Sequence, residues 1–484
     1  MSFELMSPEL ALVATVIVVV IADLFISRKR LLAAISLAGL AVAFGLAIYL
    51  WGQDSQLLFG GMLAVDSYAL FFKLLFIATA ALVILASVDY VSRFERFQGE
   101  YHAMVILATL GLMLMAATTD LIAIYVALEL AAISFYVLVG FLKDRKSTES
   151  SLKYLLLGGV ASAVLVYGMA LVFGVTGSTQ LADIAVFLQS SGDITENPAL
   201  LLGIVLLIAG LGFKIAAIPF QFWVPDVYEG APTPITLFLS VGSKVAGFAL
   251  LLRLFWAAFS LPEGLSSEWG SIIAVLSAIG MTLGNVVAIV QTNIKRMLGY
   301  SSIAHAAYML VGVAAVGMSQ GGDLFAQNSI LFYLLAFAVS DLAAFIVVIA
   351  ISNKVKSDLI RDMAGIGRQA PWLAGAMTLA LMSLTGFPPT AGFIAKFYIF
   401  AAGVNNGLLW LVVIGVINSV ISAYYYVRVM KVMWTKEPVT QGEVPTSRAL
   451  QLALAVPAAA IILLGIVPAF ATELADMATR LFVY

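Results

Sequence analysis

The sequence predicts an all-α polytopic membrane protein of about 14 transmembrane helices, and three observations carry the prediction. Hydrophobic residues fill 62% of its 484 positions and charged residues only 11%, far from the mix of a soluble domain. Mean hydropathy is +1.06. Apolar stretches of the roughly 20 residues that one bilayer crossing requires recur along the whole chain.

The stretches lie near 8–27, 31–51, 66–89, 102–118, 121–141, 151–174, 199–224, 234–259, 270–291, 298–317, 328–352, 371–403, 406–432 and 449–471. The apolar run of helix 1, Leu10 to Phe25, is preceded by Glu4 and Glu9 rather than by a basic segment, and Arg28, Lys29 and Arg30 stand where a signal peptide would carry its small-residue cleavage site. It therefore reads as an uncleaved first span. Basic residues then mark every second loop. Arg93 and Arg96 follow helix 3; Lys143, Arg145, Lys146 and Lys153 follow helix 5; Lys295 and Arg296 follow helix 9. Lys354, Lys356, Arg361 and Arg368 follow helix 11, and Arg428, Lys431, Lys436 and Arg448 flank the loop after helix 13. The opposite side holds Arg480 alone, and Lys73, Lys214, Lys244, Arg253 and Lys396 fall inside spans. By the positive-inside rule the basic loops face the cytoplasm and both termini lie on the non-cytoplasmic side. That fits a multi-pass protein of a bacterial inner membrane, or of an organelle inner membrane.

Two spans are interrupted. Helix 7 carries Ala209-Gly210-Leu211-Gly212-Phe213-Lys214 and then Pro219; helix 12 carries Gly386-Phe387-Pro388-Pro389 and then Ala391-Gly392-Phe393-Ile394-Ala395-Lys396. Gly and Pro free backbone groups that lipid cannot satisfy, so such breaks face protein or a wet cavity. Interrupted helices in corresponding halves mark the transport site of inverted-repeat transporters. The shared Ala-Gly-x-x-x-Lys string pairs helix 7 with helix 12, and hence helices 4–8 with helices 9–13. Five spans per repeat invert the second copy. The organisation expected is 1–100 for helices 1–3, 101–260 for the first five-helix repeat, 265–435 for the second, and 445–484 for helix 14.

Buried ionisable groups are the candidates for chemistry, since each costs about 2.5–3.5 kcal/mol near the bilayer centre. Glu129 lies midway along helix 5. Lys214 lies in helix 7 beside Gly212, and Lys244 lies centrally in helix 8 among Gly242, Ser243 and Ala246. Lys396 follows the break in helix 12. Burial favours the neutral form of either group, whereas a Glu/Lys pair holds both charged, so a pair that separates and rejoins is a proton switch. His305 in helix 10 titrates near neutrality when unperturbed and suits a relay, although a lone histidine also serves simply as a packing group. Asp341 in helix 11 is a possible partner for it or for a lysine. Lys73 and Arg253 lie nearer span ends, where snorkelling accounts for them; Lys153 reads as an ordinary charge of the inner surface. The loop Pro225 to Pro234 carries two acids and no base, and reads as a rigid turn or a proton-uptake mouth.

Other chemistries are excluded by composition. With no cysteine and only His102 and His305, the chain cannot ligate a cysteine-bound iron–sulfur cluster and has no zinc ligand set. No basic tract of the kind that binds nucleic acid is present.

The run Pro219-Phe220-Gln221-Phe222-Trp223-Val224-Pro225-Asp226-Val227-Tyr228-Glu229-Gly230-Ala231-Pro232, followed by Lys244, resembles the antiporter-like subunits of respiratory complex I, the proton-pumping NADH:quinone oxidoreductase. Leu128-Glu129-Leu130, the string Asn293 to His305, and Thr385-Gly386-Phe387-Pro388-Pro389 with Lys396 extend the likeness over roughly residues 100–430. The resemblance implies a proton-translocating subunit that binds no cofactor itself, NADH and quinone being used by the whole complex. Its partners are other membrane subunits, neighbouring antiporter-like ones among them, and the lipid bilayer. Glu129 and Lys214 would form the coupled pair, Lys244 the connecting lysine and Lys396 the terminal group. Gln221 stands where many members have histidine, and Gln cannot titrate. A subunit of a multi-subunit cation/proton antiporter, or a membrane assembly scaffold, would share several of these features.

Overall fold

A computed structural model describes residues 3–26, 28–92, 97–191, 197–260, 263–319, 324–439, 442 and 444–480. Arg93 and Arg96, which mark the loop after helix 3, lie outside the described residues. Among the described residues, thirteen helices are long and apolar enough to cross a membrane. The two halves of helix 12, Pro371–Thr385 and Ala391–Asn405, have 15 residues each. At 1.5 Å per residue neither reaches across a roughly 30 Å hydrocarbon core, so together they make the fourteenth crossing.

The order is helix 1 (Ser7–Phe25), helix 2 (Arg30–Leu50), a small hairpin of Gln56–Leu58 and Leu63–Val65, then helix 3 (Ser67–Val91), helix 4 (Gln98–Ala117), helix 5 (Leu121–Val139) and helix 6 (Arg145–Thr176). After the short helix Leu181–Ser190 come the two parts of helix 7, Pro198–Ile215 and Trp223–Gly230. Helix 8 (Thr233–Phe259), helix 9 (Glu263–Ile289), helix 10 (Ile294–Met318) and helix 11 (Leu324–Val355) follow. Helix 12 precedes helix 13 (Leu409–Thr435), helix 14 (Arg448–Ile466) and a terminal helix, Ala469–Arg480. The hairpin and the short helices at 181–190 and 469–480 have no counterpart in the hydropathy reading, because none of them crosses.

Helices 8, 10 and 11 form the interior: their apolar windows are 94–100% buried, against 28% for helix 6 and 33% for helices 1 and 2. The central positions of Lys244, His305 and Asp341 follow from that placement.

Two local motifs recur in the two halves. Asp120 caps helix 5 by accepting from the amides of Ile122 and Ala123, and Asn293 caps helix 10 from Lys295 and Arg296, the normal service of these side chains at a helix start. Each start is tied to the segment after the following helix. Leu121 donates to the Thr179 carbonyl at 2.9 Å and Leu181 to Thr119 at 3.0 Å; Ile294 donates to Asp358 at 2.8 Å and Ile360 to Thr292 at 2.9 Å. The first part of helix 7 and the first part of helix 12 end alike, with Ala216 (φ 61°) and Gly386 (φ 88°) left-handed. The next amides, Ala217 and Phe387, reach back to Gly212 and Met382 at 2.8 and 3.0 Å, a Schellman closure in both.

That alignment corrects the string match between the two lysines. Ala216 corresponds to Gly386, so Lys214 precedes its break whereas Lys396 follows its own. The Ala-Gly-x-x-x-Lys string is built of residues common throughout the chain, while the break is set by where the backbone reverses.

Candidate functional site

At the first centre, Lys214 sits in the last turn of the first part of helix 7, only 4% exposed. Its ammonium lies at the negative end of a half-helix dipole, which favours a cation there. Gly247 on helix 8 lets the two helices meet: a Cβ at that position would lie 2.7 Å from Ile215 and 3.3 Å from Lys214. Glu129 accepts a hydrogen bond from Ser162 of helix 6. Glu129 and Lys214 are not joined as an ion pair; a small cavity lined by Ser162, Lys214, Tyr136, Tyr154 and Gly158 holds room for about one water.

The second centre joins three helices. Lys244 follows a single π-helical turn, Leu239–Ser243, a local irregularity frequent at functional sites. Its Nζ donates to both the carbonyl and the hydroxyl of Ser302 on helix 10, and it lies 5.6 Å from the centre of the Phe337 ring. Ser240 in that turn donates to Asp341 of helix 11 and lies 3.5 Å from the Ser302 hydroxyl. The chain Lys244–Ser302–Ser240–Asp341 is thus continuous through hydroxyls, and it gives Asp341 its place.

His305 follows one turn later on helix 10. Its ring nitrogens face two phenols, Nδ1 with Tyr333 at 3.0 Å and Nε2 with Tyr426 at 3.3 Å, and Tyr426 is hydrogen-bonded to Ser301. Lys396 closes the series: its Nζ donates to the Thr385 carbonyl at 2.8 Å and stands 4.6 Å above the Tyr308 ring. Thr385 ends the first part of helix 12, so the break supplies the ammonium with a carbonyl that the helix has no further use for. Lys396 lies at the floor of an open groove of about 870 Å³ between helices 12 and 13.

Ser302, His305 and Tyr308 are spaced three residues apart on helix 10. They form one stripe that spans about 9 Å and touches Lys244 at one end and Lys396 at the other. The string Asn293 to His305 contains Ser302 and His305, and Tyr308 follows three residues later, but sequence singled out only His305. Serine and tyrosine in an apolar helix carry no signal until their neighbours are known.

Lys73 and Arg253 do not snorkel. Lys73 pairs with Glu9 at 2.7 Å and Arg253 forms a two-point pair with Asp66 at 2.8 and 2.9 Å, all four side chains at most 5% exposed. The acidic partners sit on helix 1 and at the cap of helix 3, a juxtaposition that distance along the sequence conceals.

The segment after the break in helix 7 is also a correction, since Trp223–Gly230 is helical rather than a turn. Its two acids take bases from other helices: Asp226 binds Lys153 at 2.8 Å and Arg296 at 2.7 Å, and Glu229 binds Lys146 at 2.8 Å and Arg296 at 3.1 Å. Lys153 is accordingly part of an ion cluster. This explains why the one loop of the basic side without basic residues still follows the pattern of its side. Beside it, Lys146, Glu229, Asn293, Lys295 and Asp358 line an open polar vestibule of about 1080 Å³.

Burial alone would push the Asp226 and Glu229 carboxyls up, but the hydrogen bonds from Lys153 and Arg296, and from Lys146 and Arg296, hold both below the usual carboxylate range. Groups whose folded pKa is depressed contribute stability above the unfolded pKa and lose it as pH falls through the folded one. The difference in thermal midpoint between the parent and Asp226→Asn should therefore be constant above about pH 5 and shrink towards zero below about pH 4. A difference that does not vary with pH would show that the charge of Asp226 is not what stabilises the segment.

The chain as a whole has relatives among known proteins. Residues 118–422 match the family described as NADH:quinone oxidoreductase/Mrp antiporter, TM. The chain is 54% identical to NADH-quinone oxidoreductase subunit N of Dehalococcoides mccartyi, over 99% of this chain and 100% of that protein. It is 44% identical to the subunit N of Desulforamulus reducens over 99% of both. Among solved structures it superposes on a chain of respiratory complex I from Thermus thermophilus with a TM-score of 0.80 and 30% identity, covering 96% of this chain and 98% of that one. A chain of the Mrp complex from Dietzia sp. shares the fold, with a TM-score of 0.85 at 20% identity over 100% of this chain and 98% of that one.

Proposed function

Since the chain belongs to the family of subunit N of NADH-quinone oxidoreductase, an antiporter-like membrane subunit involved in proton translocation, we propose that it moves protons through Glu129, Lys214, Lys244, His305 and Lys396. The observation that carries this reading is the helix 10 stripe of Ser302, His305 and Tyr308, which bridges Lys244 and Lys396 with hydroxyl, imidazole and phenol groups. Protons are taken up from the side of the basic loops, by way of the polar vestibule beside Glu229 and Lys295. Lys214 accepts a proton while Glu129 is held by Ser162; the one-water cavity lined by Lys214 and Ser162 gives the pair room to close and open. From Lys214 the charge is handed to Lys244, across Ser302 and His305, and on to Lys396, which releases it to the opposite side.

Each proton moved against a membrane potential requires about 2.3 kcal/mol per 100 mV. Opening and closing a buried ion pair works on energies of that size. The redox steps, NADH oxidation and quinone reduction, fall to other subunits; a chain with no cysteine and two histidines offers them little. We place both termini on the non-cytoplasmic side of the bacterial membrane. The repeated caps and breaks support a division into residues 1–100, two inverted five-helix repeats at 101–260 and 265–435, and 445–484.

The test is paired. Lys214→Met and Glu129→Gln should each assemble into the complex and lower proton translocation by reconstituted complex at least about tenfold, a conservative figure beside the roughly 10²–10⁴-fold that a positioned proton donor or acceptor contributes. Full translocation in either variant would end the scheme. Normal assembly with normal translocation in both would favour the scaffold.

A further inference from the structure

We propose that the face of the protein carrying the basic loops holds a site for one acidic phospholipid, its phosphate bound by Arg361 and Arg428. Gln291, Thr292, Ile360, Arg361, Arg428 and Val432 line an open groove of about 760 Å³ between the turn that follows helix 9, the 3-10 turn Ile360–Met363 and helix 13. Among the described residues, no carboxylate lines it.

The two arginines have donors to spare. Arg428 gives one N–H to the Ile289 carbonyl and one to the Gln291 carbonyl, both at 2.6 Å, which fixes its guanidinium against the end of helix 9. A guanidinium has five N–H groups, so three remain, and among them Nε is buried without a hydrogen-bond partner. Arg361 is 81% exposed, and its ion-pair neighbour is the adjacent Asp362 at 3.5 Å, a longer separation than a strong hydrogen bond. Asp362 is itself engaged by Ser357 at 2.6 Å. One fixed and one exposed guanidinium at a single groove suit an anion with several oxygens, and arginine is the side chain best shaped for phosphate.

What lies in line with the groove selects a lipid over a free anion. On helix 13, Ile417 and Tyr424 share the face of Arg428 and are 56% and 62% exposed. Ile279, Leu283 and Val286 on helix 9 and Val290 just after it, spaced by four, three and four residues, form an exposed stripe that ends beside Gln291. The eleven steps from Ile417 to Arg428 span about 16 Å, close to the depth of one leaflet of a roughly 30 Å hydrocarbon core. An apolar strip one leaflet deep, capped by two cations at its polar end, matches a phosphodiester with acyl chains beneath it, and basic pockets between transmembrane helices on this side of a membrane bind such head groups.

The experiment uses the assembled complex in vesicles of phosphatidylcholine containing a photoactivatable phosphatidylglycerol or, separately, a photoactivatable phosphatidylcholine, with labelled peptides mapped by mass spectrometry. The acidic probe should label the peptide carrying Ile417 to Val432, and the zwitterionic probe should label it several times less. Arg361→Gln should lower labelling by the acidic probe about fivefold, the equivalent of ~1 kcal/mol for one basic residue at a lipid surface. Arg145→Gln, which removes an exposed charge at the start of helix 6, should leave it unchanged. Equal labelling by the two probes, or no effect of Arg361→Gln, overturns the proposal. An equal loss in Arg145→Gln makes it a general surface-charge effect, and displacement by inorganic phosphate makes it a phosphate site; either also overturns it. Absence of labelling by both probes means that a neighbouring subunit covers the strip, and does so as well.

Discussion

Lys244→Met should reduce proton translocation by reconstituted complex at least about tenfold while leaving the complex assembled. Lys244 is 2% exposed in a helix whose apolar window is fully buried, and its ammonium binds two oxygens of Ser302, one of them a backbone carbonyl. Methionine is unbranched and fills irregular space well, so packing is kept and the loss falls on the proton. Asp341 retains Ser240, so the change does not leave that carboxyl without its hydrogen bond. Lys244→Arg separates two roles that methionine removes together. Guanidinium keeps the charge but does not give up its proton in a protein; a proton carrier should fail with arginine, whereas a fixed positive charge should survive it. Proton-to-electron ratio and assembled yield decide the matter together. Full pumping in Lys244→Met removes this lysine from the path, and full pumping in Lys244→Arg leaves it as an electrostatic anchor only.

Much of the fold was legible because hydropathy and charge act over segments rather than single residues. A 20-residue apolar stretch has one economical structure in lipid, and the fourteen crossings follow. The elements missed were those that do not cross: the hairpin at 56–65, the helix Leu181–Ser190 and the helix Ala469–Arg480. The breaks in helices 7 and 12 were legible from Gly and Pro. The register between the halves was not, since it rests on equivalent hydrogen bonds at Ala216 and Gly386 rather than on a shared string.

For the site, the rule that an ionisable residue in a span is functional or paired singled out Glu129, Lys214, Lys244 and Lys396, and the structure puts the three lysines in the buried interior and Glu129 beside it. The rule gave too much weight to snorkelling for Lys73 and Arg253. Their positions near span ends suggested an escape to the interface, yet each has a carboxylate within 3 Å on another helix. Partner identity is a tertiary fact. The same holds for Ser302 and Tyr308, whose importance lies in which lysine each one meets.

Arg253→Gln should lower the amount of assembled complex sharply and reduce its thermal midpoint, because it leaves Asp66 buried without its cation. Breaking a buried pair by removing one partner costs about 3–5 kcal/mol. Asp66 does two jobs: it accepts both guanidinium bonds, and it caps helix 3 by accepting from the Ala69 amide at 2.7 Å. Asp66→Asn preserves the cap, since asparagine caps as well as aspartate, and so isolates the loss of the pair. The double variant Arg253→Met with Asp66→Asn should recover part of the yield, because no uncompensated charge is left. The same junction is held by the Tyr68 hydroxyl, which donates to the Ala249 carbonyl at 2.8 Å, and by the guanidinium 4.8 Å over the Tyr68 ring. It therefore anchors one end of helix 8 to helix 3, nine residues from Lys244. Complex that does assemble with Arg253→Gln should pump normally per molecule, for Lys244 and Ser302 are untouched. Blue native gels, thermal unfolding and pumping per assembled complex separate the outcomes. Unchanged yield and midpoint would show that the pair does not stabilise the fold, whereas normal yield with lost pumping would move Arg253 from the scaffold into the proton path.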